Sequence, residues 1–401
     1  MVDANESAGD PVHRRMFYLK GVIAVGFFAG LVLSPQLWLS SRSYPTSPVF
    51  AWLPELGHPW DYVALGGMLM LLVGIVVHPR PKWLVFAFVL LAGGYSLFDQ
   101  TRWQPWFYQY LFMFIALAFY PWHNSDTAKN SNAIDGCRII VVATYFWSGL
   151  QKVNPLFRDE VFLWLFEPLT PDLSDITKAR LLSLAVIAAI TESLLGLGLL
   201  WPRLRNSSVV GIGFMHAVLL LCLGPLGHNW NTVVWPWNVT MTLLVIVLFW
   251  NSGSVGTLQI IRPRRALCHA SLLVLFGLMP ALNLVGRWDA YLSAALYSGN
   301  TMSASIFMSG AIRDRLPPEI QEQMTAVGFD MYRLDLSQWT MTELNVPAYP
   351  ARRVFLNVAR RLAVHSTRPD DVVLIIQERP IGWTKERVET RYDVHSLAKK
   401  R

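Results

Sequence analysis

Cysteine and charge are what this chain has least of. Only three cysteines occur in 401 residues. Cys137, Cys222 and Cys268 each sit in or beside an apolar segment, and none belongs to a CxxC pair. This excludes a disulfide framework, a zinc site of the usual spacing and a dithiol redox centre, and no metal site is expected. Charged residues make up 15% of the chain against 53% hydrophobic, a balance that excludes an ordinary soluble surface. The common phosphate, nucleotide and hydrolase signatures are missing too: there is no GxxxxGK[ST] loop, no GxGxxG after a strand, no HExxH and no GxSxG. Neither a short-period repeat nor a low-complexity tract is present. The chain also lacks two halves with matching broken helices, as inverted-repeat transporters have.

What is there is hydrocarbon-length apolar sequence. Segments of roughly the 20 residues needed to cross a bilayer fall at 17–39, 62–78, 82–98, 105–122, 137–154, 179–201, 207–226, 230–250 and 266–286. The sequence therefore predicts an all-α polytopic membrane bundle of about nine transmembrane helices over 17–290, after a polar tail at 1–16. No small-x-small cleavage site follows the first segment, so it reads as a helix and not as a signal peptide.

The formal charge of +7 would suggest nucleic acid in a soluble protein. Here the basic residues cluster in alternate loops: Arg14, Arg15 and Lys20; Arg80 and Lys82; Lys129 and Arg138; Arg203 and Arg205; Arg262, Arg264 and Arg265. Topology accounts for that pattern, and no nucleic-acid partner is expected. The positive-inside rule puts the N-terminus in the cytoplasm. An odd number of spans sends the C-terminal part outward, to the periplasmic side of a bacterial inner membrane. A tenth span over 291–308 would reverse this, but the Gly299-Asn300 turn and the alternating pattern favour a strand leaving the membrane surface.

From about Arg287 the charges become dense and mixed. PPEIQEQM, GFDMYRLDL, PARRVFLNVARRLAV and VVLIIQE read as helix, strand, helix and strand, a small C-terminal α+β extramembrane domain over 291–401. Val354, Phe355, Val358 and Leu362 recur on one helical face, and Pro350 suits a first turn. Besides the lipid bilayer, the expected partner is a membrane or periplasmic protein held through this domain. The Trp-, Tyr- and Pro-rich stretches at 43–60 and 99–110 read as interfacial belts, with Asp99 and Arg102 expected to pair.

Polar residues within the spans are the functional candidates, because an ionisable group at the membrane centre costs roughly 2.5–3.5 kcal/mol on insertion scales. In TYFWSGLQKVNP, Lys152 follows a Ser148-Gly149 step and precedes an Asn154-Pro155 stop. Glu192 and His216 lie inside the next two spans. His228, Asn231, Trp237 and Asn238 gather around Trp235-Pro236-Trp237, read as a kink. At about 1.5 Å per residue, Glu192 and His216 reach similar central depths and are expected to meet, with Lys152 roughly a dozen Å nearer the outer surface. The expectation is an outward-facing pocket lined by Lys152, Glu192, His216, His228, Asn231, Trp237 and Asn238, serving as a binding site or proton relay. Each residue also has a structural reading. Lys152 can anchor in headgroups at a helix C-terminus, and Glu192 with His216 can form a locking hydrogen bond.

YFWSGLQKVNP resembles the motif of the HTTM (horizontally transferred transmembrane) domain, the membrane domain shared by vitamin K-dependent gamma-glutamyl carboxylase and bacterial relatives. The resemblance is strongest over 95–250 and also takes in the Glu-bearing, Gly/Leu-rich helix ending in Trp201-Pro202-Arg203. It implies that Lys152 is a catalytic base acting on a reduced, vitamin K-like quinone, whose oxygenation yields a strong base for carboxylating glutamate. A lysine can serve so only if desolvation brings its pKa from about 10.4 toward neutrality, and a nearby carboxylate opposes that. The external part is far smaller than the carboxylase's and leaves little room for a peptide substrate. The same turn is similar to that of DoxX- and MauE-like proteins, which implies a non-catalytic membrane subunit of a redox complex. The residues alone also admit a proton-coupled transporter using Glu192 and His216, so the sequence leaves open whether the chain is an enzyme.

Overall fold

In a computed structural model, residues 11–120, 122, 127–170, 174–252, 255–262, 267–366, 368, 371–380 and 384–394 are described. Among the described residues nine apolar helices pack together: α1 Pro11–Leu33, α2 Trp60–Val77, α3 Lys82–Ser96, α4 Pro105–Ala118, α5 Thr127–Gln151, α6 Asp175–Gly198, α7 Arg205–Leu223, α8 Val234–Phe249 and α9 Leu267–Val285. Six of them, α1, α2, α5, α6, α7 and α9, are long and apolar enough to cross a membrane. The other three, α3, α4 and α8, have 15, 14 and 16 residues.

Helix α1 is central and packs on α2, α4 and α8. Its Phe27 meets Phe88 of α3 and Phe107 of α4 edge-on, with ring centroids 4.8 and 5.4 Å apart. Helices α5 and α6 approach most closely at two glycines. A Cβ on Gly149 would stand 2.4 Å from Ala189 O, and one on Gly196 2.8 Å from Tyr145 Cβ. Small residues at such a crossing let backbones touch where lipid supplies no hydrophobic drive. The chain of α9 changes from α to π over Leu273–Leu278 and to 3₁₀ over Met279–Val285. Pro280, which cannot donate to the preceding turn, explains the break.

Several basic residues read as loop charges are buried within helices and hold the ends of others. Lys20 is fully buried and donates to Ile75 O (3.0 Å) and Val76 O (3.3 Å) at the end of α2. Arg138 donates twice to Leu248 O near the end of α8, joined there by Arg15 at 3.3 Å. Arg205, 1% exposed, holds Leu199 O and Leu200 O after α6, and Ser252 O after α8. The Ile75, Val76 and Leu248 oxygens are among the orphan carbonyls that every helix leaves at its negative end, and those held by Arg205 lie just past it. One expected pair is corrected: Asp99 binds Arg42, while Arg102 donates to Leu37 O, Trp38 O and Tyr95 O. Tyr95 O at the end of α3 and the Leu37 and Trp38 carbonyls beyond α1 take the guanidinium instead.

Beyond α9 the chain turns through a 3₁₀ segment, Tyr291–Ser293, and a left-handed Gly299 (φ 70°) before the first strand, so the strand starts later than its apolar pattern suggests. An antiparallel sheet follows, formed by β1 Ser303–Ser309, β2 Met324–Gly328, β3 Met331–Asp335, β4 Val372–Pro380 and β5 Arg387–Asp393, in the order β2-β3-β1-β4-β5. Central β1 alternates, burying Ala304, Ile306 and Met308, and Ile306 lies opposite Leu334 and Leu374. Two helices, α10 Leu336–Leu344 and α11 Arg352–Leu362, pack on β1 and β4. The apolar face of α11 is the expected Val354, Phe355, Val358 and Leu362. Helix α10 and strands β2 and β5 are additions to the sequence reading.

The sheet domain sits where α1 ends and where α4 and α8 begin. The Glu343 carboxylate accepts from Ser43 N, Ser43 Oγ (2.8 Å) and Tyr44 N (2.9 Å). Asn345, left-handed at φ 55°, donates to Leu33 O at 2.8 Å, and Gln104 reaches Pro347 O at 3.1 Å. Replacing Glu343 with Ala leaves the Ser43 and Tyr44 amides unpaired, an expected loss of about 1–3 kcal/mol. Thermal unfolding in detergent and protease cleavage within 40–60 measure it, and Glu343→Gln, which keeps an acceptor, should lose less.

Candidate functional site

Tyr145, Ser148 and Lys152 are spaced three and four residues apart, which puts them on one face of α5. The helix stops at Gln151, and Lys152 N bonds back to Gly149 O at 3.1 Å. From that last turn the lysine side chain folds back along its own helix. Its Nζ donates to Ser148 Oγ at 3.0 Å and to Glu192 Oε2 of α6 at 2.6 Å. The two side chains are 14% and 10% exposed, so Lys152 is not a headgroup anchor. The depth gap inferred from residue counts is closed by the length of the lysine chain.

Glu192 and His216 do not form the expected pair. His216, on α7, lies between Tyr145 and Asn238 of α8: Nε2 is 2.7 Å from the Tyr145 hydroxyl and Nδ1 is 2.6 Å from Asn238 Oδ1. The Asn238 amide nitrogen is committed to Val234 O at 2.7 Å, so its oxygen faces the imidazole and accepts. The neutral ring then carries its proton on Nδ1, and Tyr145 donates to Nε2. Phenol, imidazole and amide thus form a chain across three helices. The tyrosine, one turn before Ser148 on α5, reaches the imidazole with its long phenol side chain.

Both clusters line one cavity of about 480 Å³. Lys152, Glu192, His216, Trp237 and Asn238 stand in its wall, among predominantly apolar and aromatic side chains. Trp237 donates to Gln109 Oε1 at 2.9 Å. His228 and Asn231 are placed behind the wall. The His228 ring stacks on Trp164 at 4.3 Å and its Nε2 bonds Trp164 O at 2.5 Å, while Asn231 donates to the Tyr297 hydroxyl at 2.9 Å. Trp164 and Tyr297 both line the cavity, so these two residues hold its surface in place. Pro236 falls in the first turn of α8, where its missing N–H has no role, and so starts that helix without kinking it.

A helical arm, π over Phe157–Val161 and α over Phe162–Phe166, covers the cavity with Phe157, Phe162, Trp164 and Phe166. Asn154 starts it, accepting from Phe157 N (2.9 Å) and donating to Gln151 O and Ser298 O (both 2.8 Å). Asp159 ties the arm to Lys385 of the sheet domain at 2.5 Å. Arg158 pulls the Asp159 carboxyl down to about 2, with Lys385 adding to the pull. A lowered carboxyl favours the folded state above its unfolded value of about 3.9, so this tie is lost only as pH falls toward 2. The arm, Tyr145 and Gln109 were not singled out from sequence. The signal for Tyr145 was its spacing to Lys152.

Fold and site together define a helical protein, membrane-compatible by six of its helices, with an apolar cavity walled by an ion pair and a phenol-imidazole-amide chain. Comparisons with protein-family models, curated proteins and solved structures find no match to this chain.

Removing one member of a buried ion pair strands the other, at about 3–5 kcal/mol, while replacing both by apolar groups is near neutral. Lys152→Met and Glu192→Leu should therefore each lower the unfolding free energy by about that amount, and the double variant should recover most of it. Equilibrium unfolding in detergent checks this, and additive losses would show that the pair is not coupled.

Proposed function

We propose that this chain is a nine-helix, HTTM-like integral membrane protein whose cavity takes a hydroquinone-sized, quinone-like or lipidic molecule, with Lys152 and Glu192 handling one proton. The observation that carries this reading is the Lys152–Glu192 contact of 2.6 Å in the wall of an apolar cavity. The volume of about 480 Å³ falls in the range of roughly 300–1,000 Å³ typical of small-molecule sites. Trp147, Trp164, Phe276 and Tyr297 in the lining suit a flat ring with an apolar tail. When bound, a reduced quinone supplies a ring hydroxyl.

The protein's own part is proton placement. While Nζ donates to Glu192, the amine has no lone pair to offer. Moving one proton from Lys152 Nζ to Glu192 Oε2 gives a neutral amine that accepts a hydroxyl proton and a neutral acid that holds the displaced one. This two-atom exchange resolves the opposition between a base and an adjacent carboxylate. The Tyr145 hydroxyl, donating to His216, keeps its oxygen lone pairs for a ligand donor. The arm limits water, which strengthens each of these contacts.

Orientation follows from the basic residues. Arg15, Lys20, Arg138 and Arg205 lie at the end opposite the sheet domain, which supports a cytoplasmic N-terminus, an external sheet domain and a bacterial inner-membrane location. The shorter α3, α4 and α8 cross as well in this reading: α4 has 12 of its 14 residues buried, while α3 lies at the edge with Trp83 and Leu90 73% and 61% exposed. A non-catalytic role in a DoxX- or MauE-like redox complex is favoured by one observation: Lys152 already has two partners, Ser148 and Glu192.

Titration of the purified protein with a reduced naphthoquinone, followed by quenching of tryptophan fluorescence and by naphtholate absorbance, separates the two. Lys152→Met should weaken binding about tenfold and abolish the naphtholate signal, with Tyr145→Phe showing a smaller loss. Equal affinity and absorbance in wild type and Lys152→Met would remove the lysine from the chemistry and leave the structural role.

A further inference from the structure

A second recess of about 590 Å³ lies on the other side of the segment that walls the cavity. Pro280 and Tyr291 border the cavity, while Asn283, Trp288 and Asp289 border the recess. Its chemistry is different. Arg287, Arg352, Arg353 and Arg379 line it against a single carboxylate, Asp289.

Three of the four guanidinium groups have partners. Arg353 pairs with Asp289 (2.5 Å) and Gln100 (2.6 Å), Arg352 with Glu378 (2.5 Å), and Arg379 donates to Asn283 O. Gly286 makes room for the last contact, since a Cβ there would stand 2.6 Å from Arg379 Nη2. Arg287 is exposed and has no ion pair among the described residues. After these pairings the recess keeps an excess of positive charge.

Two further donors make it a built site. Asn283 Nδ2 and Trp288 Nε1 are buried polar atoms without a hydrogen-bond partner, and Asn283 is only 1% exposed. Leaving such a donor unpaired costs about 1–3 kcal/mol, which a ligand acceptor would recover. The start of α11 also borders the recess through Ala351, Arg352 and Arg353, and no side chain caps that helix. Free backbone N–H groups at a helix start add to the pull on an anion. Along α9, next to the recess, Leu278, Leu282, Leu284 and Val285 are 62%, 38%, 49% and 67% exposed. They give an apolar flank of the kind acyl chains cover.

We infer that this recess binds a phosphate group, the phosphodiester of an anionic lipid headgroup or free phosphate, between Arg287, Arg379, the Asn283 amide and the Trp288 indole N–H. The apolar flank favours the lipid. A lipid seated there would press on the 279–294 segment and so on the cavity wall behind it.

The test uses the full chain purified in non-ionic detergent. Native mass spectrometry reads retention of added phosphatidylglycerol, and calorimetry reads binding of inorganic phosphate. Arg287→Glu should weaken binding by at least about tenfold and Trp288→Phe, which keeps the ring and removes the donor, by about fivefold. Both changes leave the ion pairs of the sheet domain intact, so an unchanged lipid-free melting temperature serves as the folding control. Saturable phosphatidylglycerol binding lost in both variants supports the lipid source. Saturable inorganic phosphate binding lost in both supports the free anion. Binding of neither probe, or equal affinity in wild type and variants, overturns the site.

Discussion

The structure depends on satisfying backbone carbonyls where helices end in apolar surroundings. Water would do this for a soluble helix, but each carbonyl left bare in hydrocarbon costs several kcal/mol. Lys20, Arg138 and Arg205 supply donors from neighbouring helices, and they are buried accordingly. A residue on one element thereby fixes the end of another: α1 closes α2, α5 closes α8, and α7 closes α6. The short α3 and α8 fit this scheme, with Tyr95 O and Leu248 O held by the buried guanidinium groups of Arg102 and Arg138. Arg102 does so at the opposite end.

Against that background Lys152 is an exception. Its charged group lies beside a helix end, as those of the others do, but the end is that of its own helix and it gives its protons to side chains, Ser148 and Glu192. The last carbonyls of α5 are met in other ways. Gly149 O and Leu150 O take backbone N–H groups, and Gln151 O takes the Asn154 amide. Having no carbonyl to close, the lysine is available to face a cavity. That division of labour separates a site from a cap more clearly than burial does.

Much of this could be read from the chain. Each of the nine apolar segments holds a helix, and of the seven residues expected to gather, Lys152, Glu192, His216, Trp237 and Asn238 line one space while His228 and Asn231 stand behind its wall. Periodicity and the cost of burying polar groups made those readings possible. What residue counting missed was direction. It placed Lys152 far from Glu192 because it measured Cα heights and ignored a long side chain turned back along its helix. It paired Glu192 with His216 because depth alone does not tell which faces meet. The arm at 157–166 was hidden by its mixed charges, which resemble a loop. Asp99 was matched with its neighbour in sequence, although Arg42 reaches it from another part of the chain.

Asn154 bears on how the sheet domain is joined to the site. Its amide joins the end of α5 to Ser298 O, while Asn300 reaches Gln151 Oε1 at 2.8 Å. The residues on either side of Lys152 are therefore stitched to the loop that feeds the first strand. The sheet domain and the Lys152–Glu192 contact are thus joined through two amide side chains that bracket the lysine.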